Sequence, residues 1–121
     1  IEPILFMSWP YKNKPEMQQK LEEEFFKASK LNNLRMIPAG QAFLHINQNF
    51  PNINLYTKDL RHPSKEGTYL AALMVFTSLS NKSPIGNTYI MNLDPNVAEI
   101  LQKAAWKTYK DFQKRIIDSG L

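Results

Sequence analysis

Asp59 and His62 stand three residues apart in the polar segment "YTKDLRHPSKEG", Tyr56 to Gly67. A carboxylate that accepts a hydrogen bond from one imidazole nitrogen fixes the ring's tautomer. It also stabilises the imidazolium that forms when the other nitrogen takes a proton. Three residues of spacing within a turn bring Asp59 within reach of Nδ1 of His62, which leaves Nε2 free to act as a general base. Pro63 confines His62 to extended backbone. The same residues also read as a polar turn, with Ser64 capping the next helix and His62 exposed; spacing leaves both readings open.

Other chemistry is scarce. His45, in "FLHINQNF", reads as a histidine at the surface or core edge of a helix. With two histidines and no cysteine, disulfides and thiolate metal sites are excluded, and no metal cluster of usual spacing appears. No glycine-rich phosphate loop is present, and no cofactor is expected. Trp9 and Tyr11 follow the first predicted strand, where ligands bind in open α/β sheets. They read equally as substrate-binding residues or as a packed aromatic corner. Glu22 to Glu24 and the Lys103, Lys107, Lys110, Lys114 and Arg115 series read as solvated helix faces. Asn81-Lys82-Ser83 matches a glycosylation sequon in a weak context, with Pro84 after it.

The elements that must hold these residues follow from pattern. "ILFMSW" (Ile4–Trp9) predicts a strand buried on both faces. Met17, Leu21, Phe25 and Ala28 predict a helix over Glu16–Leu31, with Pro15 in its first turn. Leu34–Gly40 predicts a second buried strand, so that strand, helix and strand suggest a parallel crossover. A helix through Phe43, Ile46 and Phe50 stops at Pro51. Ser64 caps a helix to about Leu79, in which Tyr69, Leu70, Leu73, Met74 and Phe76 face inward. "TYIMNL" predicts a brief extended piece. Asp94 and Pro95 open a last helix with Val97, Ile100, Leu101, Ala104, Ala105, Phe112 and Ile116 as its apolar stripe, and Gly120 follows its end.

The 121 residues suffice for one domain. The net charge of +4 is spread out: Ile1–Met36 carries six basic and five acidic residues, Ile37–Ile90 four and two, Met91–Leu121 five and four. Nucleic-acid binders usually cluster such charge, so no nucleic-acid partner is expected. No apolar run reaches the length of a membrane span, so no membrane partner is expected either. The chain opens on Ile1 and enters a strand-like segment at once, which suggests processing or a piece of a longer protein. Two parallel strands form a poor sheet by themselves, which points the same way. The compartment is left open; a cysteine-free chain is compatible with secretion or the periplasm.

"DLRHPSKEGTYLAALMVFTSLSNKSPIG" resembles the C-terminal block of SGNH (GDSL-type) hydrolases, in the bacterial branch with a D-x-x-H-P-S-x-x-G-T-Y-L-A-A pattern. "FMSWPY", "IPAGQAF" and "LQKAAWKTY" resemble the strand end, the strand-to-helix step and the terminal helix of that branch. The resemblance covers essentially the whole chain. It implies an α/β fold: the C-terminal part of a three-layer α/β/α sandwich with parallel strands and an incomplete sheet, 1–121 being a single partial domain. It implies a serine esterase or deacetylase without a metal, acting on an ester such as an acylated carbohydrate. By direct match His62 is the base and Asp59 its orienting partner.

The departures are as informative. The family's G-D-S serine is missing, as are the glycine and the G-x-N-D asparagine of its oxyanion hole. Ser8 and Ser64 lie in the wrong contexts, and Arg61 replaces a residue that is often small, where it would crowd or tune the site. A base without nucleophile and oxyanion donors cannot run acyl transfer, so the isolated chain is expected to be inactive. Its partner would be the missing N-terminal half or a second copy of the chain. The alternative is a non-catalytic association domain that pairs through exposed strand edges.

Overall fold

Helices α3 (Lys65–Ser80) and α4 (Pro95–Ser119) pack along each other and, with α2 (Ala39–Asn49), enclose the main core. The computed structural model describes residues 1–119 and also contains β1 (Ile4–Phe6), α1 (Met17–Asn32) and β2 (Arg35–Ile37). Local chemistry sets the helix ends. The Ser64 hydroxyl accepts from the Gly67 amide at 3.1 Å and opens α3. Asp94 Oδ1 accepts from the Asn96 amide at 2.8 Å beside Pro95, and opens α4. Asn33 and Asn81 close α1 and α3 in left-handed conformation, φ 52° and 59°; asparagine tolerates that region better than most residues.

The parallel crossover is present. β1 and β2 pair in the register Ile4–Arg35, Leu5–Met36 and Phe6–Ile37, with α1 between them in sequence. The ladder runs on past the strands, since the Met7 amide donates to the Ile37 carbonyl at 2.9 Å and the Gly40 amide to the Met7 carbonyl at 2.9 Å.

Two cores share α4. The larger joins Phe43 and Ile46 of α2, Leu70 and Met74 of α3, and Leu101 of α4 to Leu55 and Tyr56 from the 50–64 segment. The smaller sets Met7 and Met36 against Phe112, flanked by Phe25 and Phe26 of α1. At 25 residues, α4 is about 37 Å long, enough to serve both.

The expected three-layer sandwich is not what this chain forms. The molecule is 57% helical and its sheet has two strands of three residues each. A three-residue strand spans only about 10 Å. That is too short to offer four helices a common layer, so the helices bury their apolar faces mainly on one another.

Several element expectations need correction for the same kind of reason. β1 ends at Phe6, is not buried on both faces, and leaves Phe6 38% exposed. Gly40 does not close β2 but lies in the first turn of α2. "TYIMNL" forms no strand, because Met91 and Asn92 both take left-handed backbone. Phe76 of α3 is 39% exposed, whereas Leu73 and Met74 beside it are buried. Glu22 is half-buried; it accepts from Gln18 and Gln41 and faces Arg115 at 3.5 Å. Gly120 lies outside the described residues. No helix among the described residues is long and apolar enough to cross a membrane.

Candidate active site

The segment that carries Asp59 and His62 is anchored at both ends. Leu55 and Tyr56 are fully buried, and the Tyr56 hydroxyl donates to the Pro10 carbonyl at 2.9 Å. The Tyr56 ring meets Phe43 edge-on, 5.8 Å between centres. Opposite Tyr56, Pro63 forms an antiparallel bridge. The Ser64 amide donates to the Leu55 carbonyl at 2.8 Å, and the Thr57 amide to the His62 carbonyl at 2.9 Å. Residues 57–62 are therefore the loop of a short hairpin. Leu60 turns it with φ +63°, an uncommon conformation for a residue with a Cβ.

Asp59 organises this loop. Its Oδ1 accepts from the Thr57 hydroxyl at 2.8 Å, the Arg61 amide at 2.9 Å and the His62 amide at 3.0 Å. Its Oδ2 bonds Nδ1 of His62. The bond to the imidazole, followed by those two amides and the hydroxyl, holds the Asp59 carboxyl well below the usual carboxylate range. A carboxylate on Nδ1 assigns the proton to that nitrogen and leaves Nε2 as an acceptor. The His62 side chain is 77% exposed, and Nε2 has no hydrogen-bond partner among the described residues.

Trp9 and Tyr11 come to this loop from the end of β1. Trp9 stacks on Phe43, ring centres 4.2 Å apart and planes 3° from parallel, and its Nε1 donates to the Arg61 carbonyl at 3.0 Å. Tyr11 lies beneath the Arg61 guanidinium, whose carbon is 4.7 Å from the ring centre. The Lys12 amide donates to the Leu60 carbonyl at 2.8 Å. All four candidate residues thus meet in one place, with Trp9 and Tyr11 contacting the dyad through Arg61.

Thr57 and the Arg61 main chain also bind the Asp59 carboxylate, which sequence reasoning missed. The Thr57-x-Asp59 spacing was a usable signal, since short polar side chains bond to near neighbours in turns. Nothing in the sequence pointed from Trp9 to Arg61, 52 residues away.

Other candidates are engaged elsewhere. The Ser64 hydroxyl donates to the Asn54 carbonyl at 2.7 Å while it caps α3. His45 bonds Asn49 on its own helix; burial, then Lys107, pushes its pKa down. No group of three or more metal-ligating side chains comes together among the described residues. A groove of about 500 Å³ lies at the opposite ends of the strands, lined by Ile4, Arg35, Ser78, Leu79 and Phe112 among others; the dyad loop contributes nothing to it.

What the arrangement can do chemically is hold one imidazole in a defined tautomer and present its second nitrogen. Compared with known families, curated proteins and solved structures, the chain matches none. The pairing of Asp59 with His62 is therefore described by its own geometry.

Proposed function

We propose that the chain is the Asp/His arm of an SGNH-type serine ester hydrolase, with His62 as base, Asp59 as its orienter and the serine supplied by another segment or chain. One observation carries this reading: the Asp59 carboxylate sits on Nδ1 of an imidazole whose Nε2 faces outward. In that role Nε2 takes the proton of the serine hydroxyl as it attacks an ester carbonyl. The imidazolium then returns the proton to the departing alcohol. An acylated carbohydrate as substrate follows from the motif's family alone.

The test has two readings. Nitrogen-15 spectra of the labelled chain should show His62 protonated on Nδ1, with Asp59→Ala shifting the proton to Nε2. A fluorophosphonate probe should label no serine, and p-nitrophenyl acetate should not be hydrolysed. An Nε2–H tautomer in the wild type would remove the base role. Robust hydrolysis abolished by His62→Ala would place the nucleophile within this chain.

A second reading, association through β1, is favoured by the exposure of Phe6 on a strand that pairs only with β2 among the described residues. Its partner would be a second copy. A mass that stays monomeric as concentration rises would sink it.

A further inference from the structure

Arg61 lies between the two dyad residues, and its position is fixed at three points. Its amide donates to Asp59 and its carbonyl accepts from Trp9, at 2.9 and 3.0 Å, while its guanidinium rests over the Tyr11 ring. A guanidinium stacked on a ring keeps its N–H groups in plane at the edge, where they remain available to a ligand. Among the described residues those groups make no hydrogen bond and no ion pair.

Basic residues outnumber acidic ones in the two segments that meet at this loop. Residues 11–16 and 56–67 carry Lys12, Lys14, Lys58, Arg61 and Lys65 against Glu16, Asp59 and Glu66. None of the five cations forms an ion pair among the described residues. Lys12 is tied to the loop, through its amide to Leu60 and its Nζ to Asn54 Oδ1 at 3.0 Å. The Asp59 carboxylate is already engaged by four donors. The loop that carries Nε2 therefore also carries an anchored guanidinium with no ion-pair partner among the described residues.

We infer that Arg61 is the specificity residue of this site and recognises a carboxylate or phosphate group carried by the ester substrate. The inference rests on the dyad reading for the location of the reacting ester. A planar fork with free donors matches the two oxygens of such an anion. A neutral acylated sugar would leave it unused.

The test is titration of the isotope-labelled chain with three probes: trigalacturonate for carboxylate, glucose 1-phosphate for phosphate, and neutral maltotriose. At least one anionic probe should shift the Arg61 Nε–H and His62 ring signals saturably, while maltotriose leaves them in place. Which of the two anions binds identifies the source. Arg61→Gln should weaken that binding by about tenfold or more. Tyr11→Ala, which frees the guanidinium, should weaken it too, whereas Tyr11→Phe should not. Equal binding of maltotriose, no response to either anion, or unchanged affinity in Arg61→Gln would overturn the inference. The His62 tautomer in the ligand-free chain reports separately on the dyad. An intact Nδ1–H with no anion preference defeats only the Arg61 role, while an Nε2–H tautomer defeats the dyad whatever Arg61 binds.

Discussion

The indole of Trp9 and the main chain of Arg61 are hydrogen-bonded across 52 residues, Nε1 to carbonyl, at 3.0 Å. The other face of the bond is the stack of Trp9 on Phe43, within the main core. An exposed loop carrying an acid and a base is thereby referenced to the rigid part of the molecule.

Trp9→Phe should keep the ring stack and lose the donor. A net loss of about 1 kcal/mol is expected in urea unfolding, the usual worth of one hydrogen bond. Faster amide exchange at Arg61 and His62 should accompany it. If exchange there is unchanged, Trp9 does not hold the loop.

Asp59 should give a pH signature of definite sign. Its carboxyl titrates below the usual range in the folded chain, because the imidazole, two amides and a hydroxyl favour its charged form. That contribution is fully present above the unfolded value of about pH 4 and is lost as pH falls through the depressed folded value. Asp59→Asn should therefore lower stability at neutral pH, with the difference narrowing progressively as pH falls below about 4. The Asp59 carboxyl carbon should show no NMR titration midpoint near pH 4. A midpoint there would contradict the bonding pattern.

Ser64→Ala separates a cap from a nucleophile. The hydroxyl both accepts from Gly67 and donates to Asn54, so its removal should cost about 1–2 kcal/mol in urea unfolding. The His62 tautomer should be unchanged. A stability equal to wild type would count against the cap.

Two glycines should respond differently to alanine. A Cβ on Gly67 would stand 2.2 Å from the Leu55 carbonyl oxygen, where α3 abuts the hairpin. Gly67→Ala should cost several kcal/mol, about 3, and loosen the dyad loop. Gly86 has φ +86° and open space around it, so Gly86→Ala should cost only about 1 kcal/mol. Denaturation midpoints of the two variants give the ranking.

The helices were legible because their signals are local. Ser64 and Asp94 cap α3 and α4 as their positions suggest, and the 3.6-residue stripe of α4 is buried at Leu101, Ala105 and Phe112. The spacing of Asp59 and His62 allowed their contact without requiring it, since a plain capped turn with His62 exposed fitted as well; the bond of Oδ2 to Nδ1 came from the fold. The strands were less legible than the helices. "ILFMSW" has the composition of a buried strand, yet only three of its residues pair, and Phe6 faces outward. Apolar composition records burial without saying on which element, and Met7 is fully buried outside any strand.

By itself the sequence determined the caps of α3 and α4, a spacing that lets Asp59 reach His62, and the absence of cysteine chemistry. Each depends on residues within about one turn of one another. Only the tertiary structure decided that helices rather than a sheet carry the core, that Glu22 is drawn inward by Gln18 and Gln41, and that Trp9 and Tyr11 grip Arg61. Those outcomes depend on which distant surfaces meet once the apolar faces are buried, and no local spacing encodes that.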